Sequence, residues 1–184
     1  MFTTDFSNYP LVGFHATSIS ACESIQAVGF LPNKIFSREE HDRLISIAQS
    51  QNIVTSTHEE WLTMYSVTFT KDKADAQNHI KQGSAGGQGL MNITGILDRI
   101  SGLSNNNDAI FVAMLQQKIE AIQSAGTVIY AVDLSNLGLR LDTDRHRPLY
   151  YYRWNPAEPL PEASEISPSR IIEKITIPAA GISK

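Results

Sequence analysis

A single cysteine, Cys22, occurs among the 184 residues. One thiol excludes an intramolecular disulfide and any multi-cysteine metal site. No apolar run approaches the roughly 18 residues that a membrane-spanning helix needs. The opening Met-Phe-Thr-Thr-Asp-Phe-Ser-Asn lacks the basic and apolar regions of a cleaved secretory signal. A cytoplasmic location is therefore the default expectation, with export lacking such a signal left open. Positive charge is also scarce: the formal net charge is −4, so the whole molecule exerts no electrostatic pull on nucleic acid or acidic membrane. Several signatures of chemistry are missing. The Gly-rich stretch 83–89 carries no Walker lysine and no G-x-G-x-x-G. The five histidines show no metal-ligand spacing, and there is no G-x-S-x-G elbow. What remains, 42% hydrophobic and 18% charged residues over this length, describes one ordinary globular domain with a proper core.

The most informative segment is residues 13–30, Gly-Phe-His-Ala-Thr-Ser-Ile-Ser-Ala-Cys-Glu-Ser-Ile-Gln-Ala-Val-Gly-Phe. Leu11, Val12 and Phe14 favour an extended chain. Ser20 and Glu23 form an S-x-x-E pattern that predicts a helix from about Ala21. Cys22, Ile25 and Val28 recur at helical spacing and are expected to face a core. Gly29 is placed as the left-handed stop. His15, Ala16, Thr17 and Ser18 lie between strand and helix, and their backbone groups must find partners other than a helix ladder. A histidine at such a place either serves the structure or bonds a ligand hydroxyl or amide.

Further along, Ser37 and Glu40 predict a second capped helix running to about Ser50. Thr57 and Glu60 mark a third helix start. Residues 65–70 alternate as a half-polar strand. Residues 72–81 read as a short helix, 83–89 as a flexible loop, 93–101 as a further helical stretch and 109–124 as the strongest helix. In that last helix Phe111, Leu115, Ile119 and Ile122 form one stripe, with Gly126 beyond its end. Strands are expected at 127–134, 149–154 and 171–177, with a short edge strand at 162–166. Residues 140–154 interleave arginines and tyrosines with Trp154. Such a cluster can stack bases and hold phosphates, or form an ordinary tyrosine-rich strand.

His15-Ala16-Thr17, the following Ile25 and Gly29-Phe30 resemble the ADP-ribosyltransferase superfamily, many members of which carry His-Gly-Thr or His-Gly-Ser at the end of a first strand. The resemblance continues in Thr68-Phe69-Thr70 with the helix behind it. It extends to Glu162-Ala163-Ser164-Glu165-Ile166-Ser167-Pro168 leading into an Ile-rich last strand. It covers a little over half of the chain and implies an α+β fold with a split sheet. The expected form is one domain over residues 1–184, two small packed sheets, and a helical insertion at about 32–64 over the site.

The same resemblance implies roles. His15 would bond the nicotinamide ribose of NAD, and the main chain at Ala16 would grip the carboxamide, with Thr17 beside them. Alanine stands where the family usually has glycine, which narrows the pocket. Phe69 and Tyr65 are candidates for an aromatic wall beside the pyridinium ring, or are ordinary core residues of a strand. His79 falls near a family tyrosine, and Lys34 or Arg38 would neutralise the pyrophosphate. Glu162 is the first choice for the catalytic carboxylate, then Glu165, then Glu158. The implied function is mono-ADP-ribosylation of a macromolecular acceptor, protein or nucleic acid, with NAD as substrate and no metal. Bacterial toxins and effectors of this type are a family-level expectation, as is an inhibitory partner protein. The alternatives are NAD hydrolysis and a non-catalytic binding or interaction module.

Overall fold

A computed structural model describes residues 2–31, 36–53, 67–81, 87–139, 141–143, 150–154 and 166–178. Six strands form one antiparallel sheet: β1 (Val12–Ser18), β2 (Val67–Thr70), β3 (Thr127–Asp133), β4 (Leu141–Thr143), β5 (Tyr150–Trp154) and β6 (Ile171–Ile177), in the order β4-β5-β2-β1-β3-β6. The helices are α1 (Cys22–Val28), α2 (Arg38–Ser50), α3 (Lys73–Lys81), α4 (Gly87–Leu97) and α5 (Asn106–Ser124). Mixed helix and antiparallel sheet give an α+β chain, as expected. The expectation of two packed sheets is corrected, since the strands share a single ladder order.

That ladder is uneven. β1 and β3 pair along seven positions, from Val12↔Asp133 to Ser18↔Thr127. β3 continues onto β6, with a register shift between Ala131 and Val132. On the other side, β2 pairs with β5 from Val67↔Trp154 to Thr70↔Tyr151. β1 and β2 share one register pair only, Phe14↔Thr70. The sheet therefore consists of two three-stranded halves, β6-β3-β1 and β2-β5-β4, joined at a point.

β3 reads Thr-Val-Ile-Tyr-Ala-Val-Asp and is buried at all but its last residue. Such a run suits a strand covered on both faces. Val128, Tyr130 and Val132 pack with Ile25, Phe30, Phe69 and Ile166 on one face. Ile129 and Ala131 pack with Phe14 and with Ala76 of α3 on the other. Phe2 and Phe6 close that second face, their rings 5.7 and 5.6 Å from that of Phe14. The Glu173 carboxylate holds this amino-terminal segment by accepting from the Thr3 and Thr4 amides at 2.9 and 2.8 Å.

A separate apolar cluster joins α2, α4 and α5 through Leu44, Ile47, Ile93, Ile96, Leu115 and Ile119. α2 begins with the expected reciprocal cap between Ser37 and Glu40. Lys118 of α5 bonds the Glu40 carboxylate at 2.9 Å. This helical body is tied to β1 where the Ser18 hydroxyl donates to the Ile122 carbonyl at 2.9 Å.

Some local expectations are corrected. Residues 19–21 are a 3-10 turn capped by Ser18, and α1 then starts at Cys22 with no side-chain cap from Ser20. Val28 is 43% exposed rather than core-facing, because α1 turns only Ile25 fully inward. Gly87–Leu97 is helical, so the expected loop covers at most its early part, and 82–86 lie outside the described residues. The strand β4 has no counterpart in the sequence reading. The third helix start at 57–60 and the edge strand over 162–165 lie outside the described residues.

Candidate functional site

The site is built on the direction of the β1 backbone. Just beyond the ends of that strand, the Leu134 amide donates to the Leu11 carbonyl and the Ile19 amide to the Gly126 carbonyl, at 2.9 and 3.1 Å. Both bonds fit the β1–β3 register, so odd-numbered residues of β1 point their backbone groups at β3. Even-numbered residues, Phe14 and Ala16, therefore point theirs at β2. Phe14 has its partner there in Thr70. Two residues on, Ala16 would face Thr68, but the register ends before that pair. The Ala16 N–H and C=O thus point toward β2 beyond the last pair of the β1–β2 register.

The Thr68 carbonyl is occupied by the neighbouring side chain: Nδ1 of His15 lies 2.9 Å from it. A carbonyl oxygen only accepts, so Nδ1 carries the proton. Burial holds the His15 pKa below its ordinary value, with the Thr68 carbonyl opposing. The ring is accordingly neutral near pH 7, and Nε2 presents a lone pair that no described residue engages. His15 itself is half-buried.

Aromatic rings set its attitude. Phe30 meets the imidazole edge-on at 5.3 Å, Phe69 lies tilted at 5.5 Å, and Phe30 and Phe69 touch each other at 5.2 Å. Phe30 is placed by its own backbone, whose amide donates to the Ile166 carbonyl at 3.0 Å. Gly29 makes that bridge possible. Its φ is +82°, and any Cβ there would collide with the Ile166 carbonyl.

Of the residues read from sequence, His15, Ala16, Thr17 and Phe69 are brought together. Thr17 is buried, opposite Val128, on the same face as His15. Phe69 is fully buried, in line with the core alternative, and its ring lies tilted against that of His15. Arg38 is exposed on α2 and pairs with Asp42 at 3.7 Å, outside the aromatic cluster around His15. His79 belongs to α3, the helix that covers the opposite face of the sheet, and its side chain lies outside the described residues. Lys34, Tyr65, Glu158, Glu162 and Glu165 also lie outside them, as do Arg140 and residues 144–149. The chain re-enters the described set at Ile166, on the residue bridged to Phe30.

Four contributors escaped the sequence reading. Phe30 was visible only as part of the Gly-Phe stop. The Thr68 carbonyl and the Thr70 hydroxyl act through position, which residue type does not announce. Tyr130 shares the His15 face, directly opposite it on β3, and is fully buried with its ring 5.5 Å from that of Phe30. Burial, together with the adjacent Cys22 thiol, pushes its phenol up. No group of three or more metal-ligating side chains occurs among the described residues, and none of their helices is long and apolar enough to cross a membrane.

Chemically, the arrangement offers an acceptor at Nε2 and a donor–acceptor pair at Ala16. A carboxamide fits the latter, since its C=O and N–H complement a free strand residue; a hydroxyl fits the former. No protein-family model, curated protein or solved structure matches the chain.

Proposed function

We propose that the chain is an NAD-dependent mono-ADP-ribosyltransferase acting on a macromolecular acceptor. The observation that carries this reading is an Ala16 main chain beyond the last pair of the β1–β2 register beside a His15 Nε2 that no described residue engages. The nicotinamide carboxamide would take the Ala16 N–H and C=O, and a ribose hydroxyl would donate to Nε2. The motif resemblance supplies the substrate; the geometry supplies groups of the right polarity.

In this reading the bond between the ribose anomeric carbon and the pyridinium nitrogen breaks, and nicotinamide leaves as a neutral ring with the electron pair. An acceptor nucleophile attacks that carbon and gives up its proton to solvent. Positive charge on the ribose peaks in the transition state, so a fixed carboxylate lowers the barrier more than it aids binding. Glu162 or Glu165 is assigned that role. Ile166, the residue after Glu165, is bonded through its carbonyl to Phe30, which packs on His15.

Incubation with NAD labelled on the ADP-ribose tests the proposal. Label on protein or nucleic acid supports transfer, free ADP-ribose supports hydrolysis, and saturable binding lacking product supports a binding module. His15→Ala removes one hydrogen bond that orients the ribose and should lower kcat/KM for NAD about 10-fold, equivalent to ~1.4 kcal/mol. Glu162→Ala or Glu165→Ala should abolish transfer while binding persists. Full activity in both glutamate variants overturns the carboxylate assignment, and no NAD binding by wild type overturns the function.

A further inference from the structure

Thr70 stands where the two half-sheets meet. It is the β2 member of the lone β1–β2 pair, and its side chain is 5% exposed. The chemistry proposed above makes no use of its hydroxyl. Oγ1 lies 3.2 Å from the Phe14 carbonyl and 3.1 Å from the Asp72 carbonyl. Both partners are acceptors, so one hydroxyl proton is shared between them. The first carbonyl belongs to the residue immediately before His15. The second lies in the turn that leads into α3. One buried hydroxyl thus ties β1, β2 and the start of α3 together.

The consequence falls on the imidazole. Past Phe14↔Thr70 no register pair holds β1 to β2. The next link across the divide is the bond from His15 Nδ1 to the Thr68 carbonyl, two residues back along β2. Hydrogen bonds weaken steeply with length and misalignment. The separation of the strands at Thr70 therefore decides whether Nδ1 reaches Thr68. That bond in turn decides which ring nitrogen keeps the proton and which faces the gap.

We propose that Thr70 is a positioning residue for His15, its buried hydroxyl fixing the strand separation at which the imidazole bonds Thr68 through Nδ1 and turns Nε2 to the opening. The effect on catalysis rests on the NAD reading; the effect on the ring does not. Thr70→Val keeps the shape and deletes the hydroxyl, while Thr70→Ser keeps the hydroxyl. Long-range proton–nitrogen NMR of the His15 ring in the full chain, on variants whose melting temperatures are also measured, reads the tautomer directly. Wild type and Thr70→Ser should show the Nδ1-protonated form, and Thr70→Val a mixture. In turnover of NAD, Thr70→Val should lose on the order of 10-fold in kcat with KM changed less than about 2-fold, because misplacing a reacting-site group costs rate more than binding. Thr70→Ser should restore kcat.

An unchanged ring and kcat in Thr70→Val overturn the proposal, as does a serine variant that falls as far as the valine one. Should the valine variant not fold, the wild-type hydroxyl proton decides. Shelter from solvent exchange supports the tie, and exchange at the free-hydroxyl rate overturns it. If wild type does not turn over NAD, the functional reading fails while the tautomer measurement still judges Thr70.

Discussion

Two histidines make folding of this chain sensitive to mild acid. Burial lowers the pKa of His15, against the pull of the Thr68 carbonyl. Burial also lowers that of His41, against the charges of Glu40 and Asp42. In the unfolded chain both titrate near the ordinary 6.5. Below that value the unfolded state binds protons that the native state refuses, so stability present above pH 6.5 is lost as pH falls toward the folded pKa values. Glu173 acts in a lower window. Donation from the Thr3 amide first, then from Thr4, holds its pKa at about 2 against an ordinary 4.5. Its contribution is present above pH 4.5, is lost between there and about 2, and is weakened by salt. Melting temperature should therefore fall between pH 7.5 and 5.5 and again below 4.5. His15→Gln should flatten the first step and Glu173→Gln the second. A flat profile between pH 7.5 and 5.5 in wild type contradicts the burial of neutral imidazoles.

Elements differ in how openly the sequence declares them. α2 and α5 are legible because a reciprocal cap and an unbroken stripe from Phe111 to Ile122 repeat at the helical period. β6 is legible from its alternation of isoleucines, and its bounds match expectation. α1 is less so. Its Ser-x-x-Glu pattern was overridden by the hydroxyl of Ser18, which caps a 3-10 turn first. β4 is three residues of mixed character with no period to read. At the site, His15 and Ala16 were legible from residue type and spacing. The Thr68 carbonyl was not, since every residue carries one and only register selects it. Phe69 was legible as a strand aromatic, ligand wall or core, but the choice between them was not, because it turns on Phe30 packing against it. That glycine gives the sharpest element-level prediction. Gly29→Ala forces a side chain into positive φ and against Ile166, so the bridge must open. The expected cost is about 1–3 kcal/mol in denaturant unfolding, with loss of the Phe30–His15 ring contact in NMR. A variant as stable as wild type removes Gly29 from the account of how the carboxyl-terminal segment is held.

Among the described residues the sheet carries one weak seam, between β1 and β2. β1 pairs with β3 along seven positions, while among the described residues the hydrogen-bonding links of β2 to β1 are a single register pair, one hydroxyl and one imidazole, beside the Phe69–His15 ring contact. Opening across that seam breaks few hydrogen bonds between described residues. Local openings draw on the elements with the fewest cooperative contacts. Backbone amides of β3 should therefore exchange with deuterium slowest, and Thr68 to Thr70 faster, in the free chain. A ligand that bridges the halves adds bonds only to the closed form, so it stabilises the seam by mass action. At 10 times its Kd, NAD should slow exchange at Ala16 and across β2 by about 10-fold, equivalent to ~1.4 kcal/mol. β6, on the far side of β3, should change little. Uniform slowing over the entire chain would mean that NAD stabilises the fold globally with no preference for the seam. Slowing confined to the helical body of α2, α4 and α5 would place the ligand elsewhere. Only protection centred on Ala16 and β2 is compatible with a dinucleotide held where the sheet divides.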